Sequence, residues 1–300
     1  MSTTTEPEVT VARDGWGASA KAIEHHYDVG NDFFGLWLDP SMTYSCPLWE
    51  GPEDTLEAAQ ERKLDYLIAS TNAAGKRRVL DVGCGWGSLL RRLTQEHGVE
   101  QAVGLTLSPS QAAYGTERAG GDSRIDTRVE NWQDHQPEEG YDAIISIGAF
   151  EHFASMGMPR AERIAGYREF FQRCFDWLPS GGRVAVQTIV KGSNGKLDRK
   201  TVRDMLFICD RIYPESQIPW VSEMLEASEK QFDVVTARLD PDHYVRTLHD
   251  WHGRLQDRRQ EAVDMVGPEV VADYERYLIA FAEHFANRHT NLARIVFERV

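Results

Sequence analysis

The chain has 300 residues, with 33 basic and 47 acidic side chains and a formal net charge of −14 when histidine is neutral. That balance argues against a nucleic-acid groove and against a general electrostatic grip on anionic membranes. At 41% hydrophobic and 27% charged the composition is that of a globular protein, and without an apolar run of 18 residues no stable membrane insertion is expected. The first residues show no charged-then-apolar leader pattern, so a cytoplasmic location is expected. Cys46, Cys84, Cys174 and Cys209 lie far apart without a CxxC pair, which argues against a zinc cage or a disulfide framework. His25, His26, His243, His249 and His252 fall into no catalytic metal spacing such as HExxH, and no metal is expected.

Residues 1–12 are polar and aperiodic and read as a disordered tail. Residues 13–300 read as a single domain, beginning with a helical cap over 13–70. In the cap, a helical segment ends near Asp28-Val29-Gly30-Asn31, and a short helix follows around Asp32–Leu38. A loop carrying Thr43-Tyr44-Ser45-Cys46 comes next. Apolar residues at Leu56, Ala59, Leu64 and Leu67 predict a helix over 55–69, with Asp54 or Thr55 as N-cap. Strands and helices then alternate. Strands are expected at Arg77–Val82, Gln101–Leu105, Asp126–Glu130, Asp142–Ile147 and Arg183–Val190. Helices are expected after Gly87, from Ser108, and over Arg160–Trp177. This βαβ rhythm predicts an α/β fold, a doubly wound and mostly parallel sheet with helices on both faces. Phe232–Leu239 and Leu292–Val300 bring the sheet to seven strands. The segments 191–230 and 244–287 are helical insertions placed to act as a lid.

The sharpest local signal is the apolar run ending Leu80-Asp81-Val82-Gly83-Cys84-Gly85-Trp86-Gly87, a strand turning through closely spaced glycines into a helix. Glycine there permits a tight turn and lets a ligand approach the main chain. A dinucleotide enzyme would use G-x-G-x-x-G, but here Ser88 occupies the third position of that spacing. Asp81 before the glycines suits a ligand with a cationic amino-acid end, which favours S-adenosylmethionine.

Five runs follow one another along the chain: His26-Tyr27-Asp28-Val29, Thr43-Tyr44-Ser45-Cys46, Leu80–Gly87, Gly104-Leu105-Thr106-Leu107-Ser108 with Gln111, and Gly148-Ala149-Phe150-Glu151-His152-Phe153. Together they resemble the cyclopropane-fatty-acid synthase and mycolic acid cyclopropane synthase family of S-adenosylmethionine-dependent methyltransferases. The resemblance covers roughly residues 20–300 and implies the Rossmann-like class I methyltransferase fold. It implies that Tyr44 and Ser45 hold the methionine end of the cofactor above Gly83 and Gly85. Thr106 and Gln111 would lie near the ribose and Trp132 beside the adenine, with Ile147 at the strand-four end. It further implies a bicarbonate ion acting as base, held by Cys46, Glu151 and Tyr244. At the position where the family shows a histidine this chain has Gln187, in Val186-Gln187-Thr188-Ile189. Glutamine can donate a hydrogen bond to an anion but cannot carry charge or shuttle a proton, which leaves Glu151 itself as an alternative base.

Methylating an alkene carbon leaves a carbocation, so the site must exclude water, align the double bond, stabilise the cation and remove a proton. Loss of that proton from the transferred methyl closes a cyclopropane; loss from a neighbouring carbon leaves a methylated alkene. Phe207, Ile208, Ile212, Ile218, Trp220, Met224 and Leu278 are the expected walls for an apolar guest, and Lys191, Lys196, Arg199 and Lys200 a contact for an anionic head. A net −14 disfavours both a phospholipid surface and an acyl carrier protein, and so favours a small unsaturated molecule of acyl, prenyl or polyketide type. The alternative is a methyltransferase acting on an amine nitrogen, since plant alkaloid N-methyltransferases resemble the same family. A non-catalytic S-adenosylmethionine-binding protein is the reading from another class.

Overall fold

The computed structural model describes residues 29–300. The expected tail, the helical segment ending at Asp28, and His25 and His26 lie outside them. The first described helix, α1 (Asn31–Gly35), is a short turn that buries Phe33 and Phe34. It leads into α2 (Leu56–Ser70), whose N-cap is Thr55, its hydroxyl accepting the Ala58 N–H.

The sheet then builds up as β1 (Arg78–Val82), β2 (Gln101–Thr106), β3 (Ile125–Val129), β4 (Ala143–Ile147) and β5 (Arg183–Lys191). Between them run α3 (Ser88–Gln95), α4 (Pro109–Arg118, N-capped by Ser108) and α5 (Arg160–Trp177). After β5 come α6 (Arg199–Arg211), α7 (Val221–Ser228) and β6 (Phe232–Leu239). Three helices, α8 (Pro241–Asp257), α9 (Arg259–Val266) and α10 (Pro268–Ala286), precede the last strand, β7 (Thr290–Arg299).

The seven strands are ordered β3-β2-β1-β4-β5-β7-β6, with β1 to β5 parallel and β7 antiparallel to both of its neighbours. Strand alternation sends successive side chains to opposite faces. Val79, Ala143, Ile145 and Ala185 pack with Leu64, Leu67 and Leu90 of α2 and α3. Leu80, Ile144, Val184 and Val186 pack instead on Tyr167, Phe170 and Phe171 of α5. A third apolar cluster holds α1, α6, α8, α9 and α10 together, chiefly through Phe33, Phe34, Trp37, Trp251, Tyr274, Tyr277 and Phe281. It sits over the carboxyl ends of the parallel strands, where open α/β sheets collect ligands.

Candidate active site

Two adjoining hollows open at that edge, and Gly148 and His152 line both. The smaller, about 90 Å³, lies at the carboxyl ends of β1, β2 and β4; Gly83, Gly85, Thr106, Gln111 and Trp132 are on its wall. Its floor is the glycine turn. Gly83 has φ +87°, and a Cβ there would stand 2.5 Å from that of Ala149. Gly85 has φ +52°, and its nearest obstacle would be Gln111 Nε2 at 3.9 Å, so a Cβ would take up cleft space. Thr106 donates its hydroxyl to Gln111 Oε1 at 3.0 Å, which fixes both side chains in the cleft. The Trp132 ring is held by Phe153 and by an edge contact with Phe170. Glu130 and Asn131 complete the wall beside it.

Asp81 and Ile147 are not on either wall. Asp81 lies buried within β1, its Oδ1 without a hydrogen-bond partner, and burial pushes its carboxyl up to about 7 against the opposing pull of Lys63. Lys63 itself escaped the sequence reading. It is fully buried on α2 and donates Nζ–H to Ser45 Oγ at 2.8 Å, and burial pulls it down to about 7. The available signal was its place on the apolar stripe, four residues after Ala59 and four before Leu67.

The larger hollow, about 470 Å³, gathers Tyr44, Ser45, Cys46, Glu151, Gln187 and Tyr244 on one wall from widely separated segments. Glu151 sits in a single 3-10 turn, Phe150–His152, after β4. Its Oε1 accepts the Ile189 N–H at 2.6 Å, while Oε2 is buried without a partner. Burial pushes this carboxyl up to about 7. Neighbouring His152, held at 2.8 Å from Ser216 Oγ, is pulled down to about 4 by burial and stays neutral at pH 7. The hydroxyls of Tyr44, Tyr213 and Tyr277 meet in a triangle with edges of 3.1, 3.0 and 2.9 Å.

Gln187 and Cys46 are committed to the protein. Gln187 donates Nε2–H to the Cys46 carbonyl at 3.0 Å and accepts from Arg294 Nε at 2.7 Å. Arg294, fully buried on β7, also ion-pairs with Asp240 and donates to the Pro47 carbonyl at 2.7 Å. The Cys46 thiol points to its neighbour's carbonyl, Pro47 O, at 3.4 Å, and burial pushes it up to about 11, so it stays protonated. An anion held by Gln187 and Cys46 would have to displace these bonds, so bicarbonate does not fit the wall as arranged.

Of the expected wall residues, Ile208, Ile218 and Trp220 line the chamber. Phe207 does not: on α6 the inward stripe is Met205, Ile208 and Cys209, and Phe207 instead lies under the Arg276 guanidinium at 3.8 Å. Ile212 and Leu278 are buried in the helical cluster, and Met224 packs beneath the sheet.

A Rossmann-like sheet with one reversed strand, a glycine-turn cleft at its carboxyl edge and an apolar chamber beside it define an S-adenosylmethionine-dependent methyltransferase. Over residues 17–295 the sequence matches the mycolic acid cyclopropane synthetase family, and the chain belongs to that family. It is 35% identical to cyclopropane mycolic acid synthase 2 of Mycobacterium leprae, covering 91% of this chain and 92% of that protein. It is 34% identical to hydroxymycolate synthase MmaA4 of Mycobacterium tuberculosis, over 92% and 91% of the two chains. Among solved structures it superposes on the cyclopropane synthase MmaA2 from Mycobacterium tuberculosis with a TM-score of 0.86, at 31% identity and covering 94% of this chain and 99% of that one. The enzyme is therefore of the cyclopropane synthase type.

Proposed function

We propose that this enzyme transfers a methyl group to an alkene carbon of a small, largely apolar unsaturated molecule, with Glu151 as the proton acceptor. The observation that carries the reading is the Glu151 carboxyl: buried on the chamber wall, next to the junction with the glycine cleft, with one oxygen anchored and the other unpartnered. A buried carboxyl with a free oxygen is costly unless it serves a ligand. The glycine cradle, the Thr106–Gln111 pair and Trp132 suit S-adenosylmethionine, which when bound supplies an electrophilic methyl on a sulfonium that departs as a neutral thioether. Tyr44 and Ser45, the latter fixed by Lys63, would orient its methionine end.

The alkene π pair forms the new carbon–carbon bond as the carbon–sulfur pair leaves, and the positive charge passes to the substrate. Tyr44, Tyr213, Tyr244 and Phe281 line the chamber where that charge develops, and aromatic faces stabilise a cation without trapping it. Glu151 Oε2 then takes the proton. Its raised pKa matches it to base work near neutral pH. Bicarbonate has no step here, because Gln187 and Cys46, two of the groups that would hold it, already bond to the protein. The segments 191–230 and 244–287 act as the lid in this reading. A chamber of about 470 Å³ falls in the range of small-molecule sites and favours a compact guest over a very long chain.

The test is a mass-spectrometric screen with methyl-deuterated S-adenosylmethionine over unsaturated acids and thioesters, prenyl phosphates, prenylated aromatics and amines. A label on carbon supports the reading, and loss of the double bond separates ring closure from simple C-methylation. Label on amines alone overturns it.

A further inference from the structure

The chamber has a second polar station, one same-face rung along β5 from the Ile189 N–H that anchors Glu151. Gln187, Ile189 and Lys191 of β5 lie along its floor, where β7 sets Leu292 opposite Ile189 and Thr290 opposite Lys191. Directly opposed residues of an antiparallel pair share a face, and alternate residues along a strand do too. The floor therefore runs polar, apolar, polar over four residues, a distance of roughly 13 Å.

At the far rung, Thr290 Oγ1 is buried without a hydrogen-bond partner, and Thr290 lines the chamber. His284, only 3% exposed and also on the wall, has a buried Nδ1 that is likewise unpartnered. Lys191 is half-buried beside them, its ammonium 5.6 Å from the centre of the Trp220 ring. Among the described wall residues it is the only charged side chain besides Glu151. The carboxylate acting on it, Glu223, is already bound by Arg163 and by the Trp220 N–H, while burial first and Arg163 second pull the Lys191 ammonium below the ordinary lysine range. The Glu151 end thus offers an acceptor, and the Lys191 end offers a cation and two unsatisfied polar groups.

Resting on the reading of the site as an alkene methyltransferase, we propose that the substrate is a free anionic amphiphile, a carboxylate or phosphate head held by Lys191, Thr290 and His284, with its alkene reaching back to Glu151. Glu151 is bonded to the Ile189 N–H, two residues or roughly 7 Å along β5 from Lys191, and an extended chain advances roughly 3.3–3.6 Å for every three bonds, so the span between the stations places the reacting double bond about six bonds from the head. Trp220 covers the Lys191 stem, and Ile189, Leu292 and Ile208 cover the hydrocarbon between.

The test compares cis-monounsaturated fatty acids of varied double-bond position, their methyl esters, and alkenyl phosphates of the same lengths, on wild type and on Lys191→Met, Lys191→Arg and Thr290→Val. A charge-assisted contact at a half-exposed site should raise KM for the acid about ten-fold in Lys191→Met, with kcat little changed. Lys191→Arg should restore most of it, and the ester should show the same KM on wild type and Lys191→Met. Preference of wild type for acid or phosphate identifies the head. Equal KM for acid, phosphate and ester on wild type, with carbon methylation still proceeding, overturns the anionic head while leaving the alkene chemistry standing. No carbon methylation of any alkene, with amines labelled instead, overturns the underlying reading.

Discussion

The two hollows of this enzyme are built in opposite ways. The glycine cleft comes largely from neighbouring residues: β1 runs into Gly83, Gly85 and Gly87, and the end of β2 and the first turn of α4 supply Thr106 and Gln111 a few residues apart. The chamber is drawn from the loop at 44–46, the turn after β4, two strands and the later helices, in short runs that lie far apart in the chain. Backbone geometry makes the first, so side-chain exchange around it is tolerated only where no Cβ intrudes. Tertiary packing makes the second, so single substitutions there can alter the guest without disturbing the cofactor.

The largest expected effect that separates the two is Glu151→Gln. Loss of the base should lower turnover about 10³-fold, while S-adenosylhomocysteine affinity, measured by calorimetry, stays within about two-fold. In wild type, turnover should rise with pH through about 7, because only the ionised carboxyl accepts a proton, and the variant should lose that limb. The same raised value means the folded state holds the Glu151 proton more tightly than the unfolded chain does. Its stabilising share is therefore present below the ordinary glutamate range and lost as pH rises towards 7. Denaturant titrations should show that decline flattened in Glu151→Gln. A collapse of cofactor affinity instead would mean that the two hollows are not separable.

Leu278→Ala probes the packing that closes the chamber rather than its wall. It should cost about 2–5 kcal/mol of stability in denaturant melts, with the substrate preference of the remaining folded enzyme unchanged. A change of preference without loss of stability would put Leu278 on the wall after all.

Gly83→Ala attacks the cleft. A side chain at φ +87° and 2.5 Å from Ala149 Cβ should cost about 1–3 kcal/mol, and the rise in melting temperature on adding S-adenosylmethionine should shrink or vanish. An undiminished rise would show that the turn is not the cofactor's floor.

The smallest effect expected is that of Gln187→His. It breaks the bond to Arg294 Nε and leaves a buried donor unsatisfied, at a cost of about 1–3 kcal/mol. Turnover should be indifferent to added bicarbonate in both proteins; a bicarbonate requirement in wild type would contradict the commitment of Gln187 to Arg294 and the Cys46 carbonyl.

Much of this architecture was legible in the amino-acid order. All seven strands fell within about two residues of their expected places, the central ones because a strand buried on both faces reads as an apolar run bounded by turn residues. The glycine spacing marked the cleft because positive φ and close approach select glycine locally. Glu151, Cys46, Gln187 and Tyr244 were singled out by motif and do share a wall.

What the order of residues did not disclose depends on partners distant in the chain. Phe207 and Ile208 are adjacent and both apolar, and only the rotation of α6 against its neighbours put Ile208 on the wall and Phe207 under Arg276. Lys63 and Arg294 belong to no local motif. Their burial follows from Ser45 and Asp81 on one side and from Gln187, Asp240 and the Pro47 carbonyl on the other. Local backbone preferences are written residue by residue, so they determined the sheet and the glycine cleft. Desolvation and the pairing of buried charges depend on which segments meet, so the tertiary structure alone decided the chamber's chemistry.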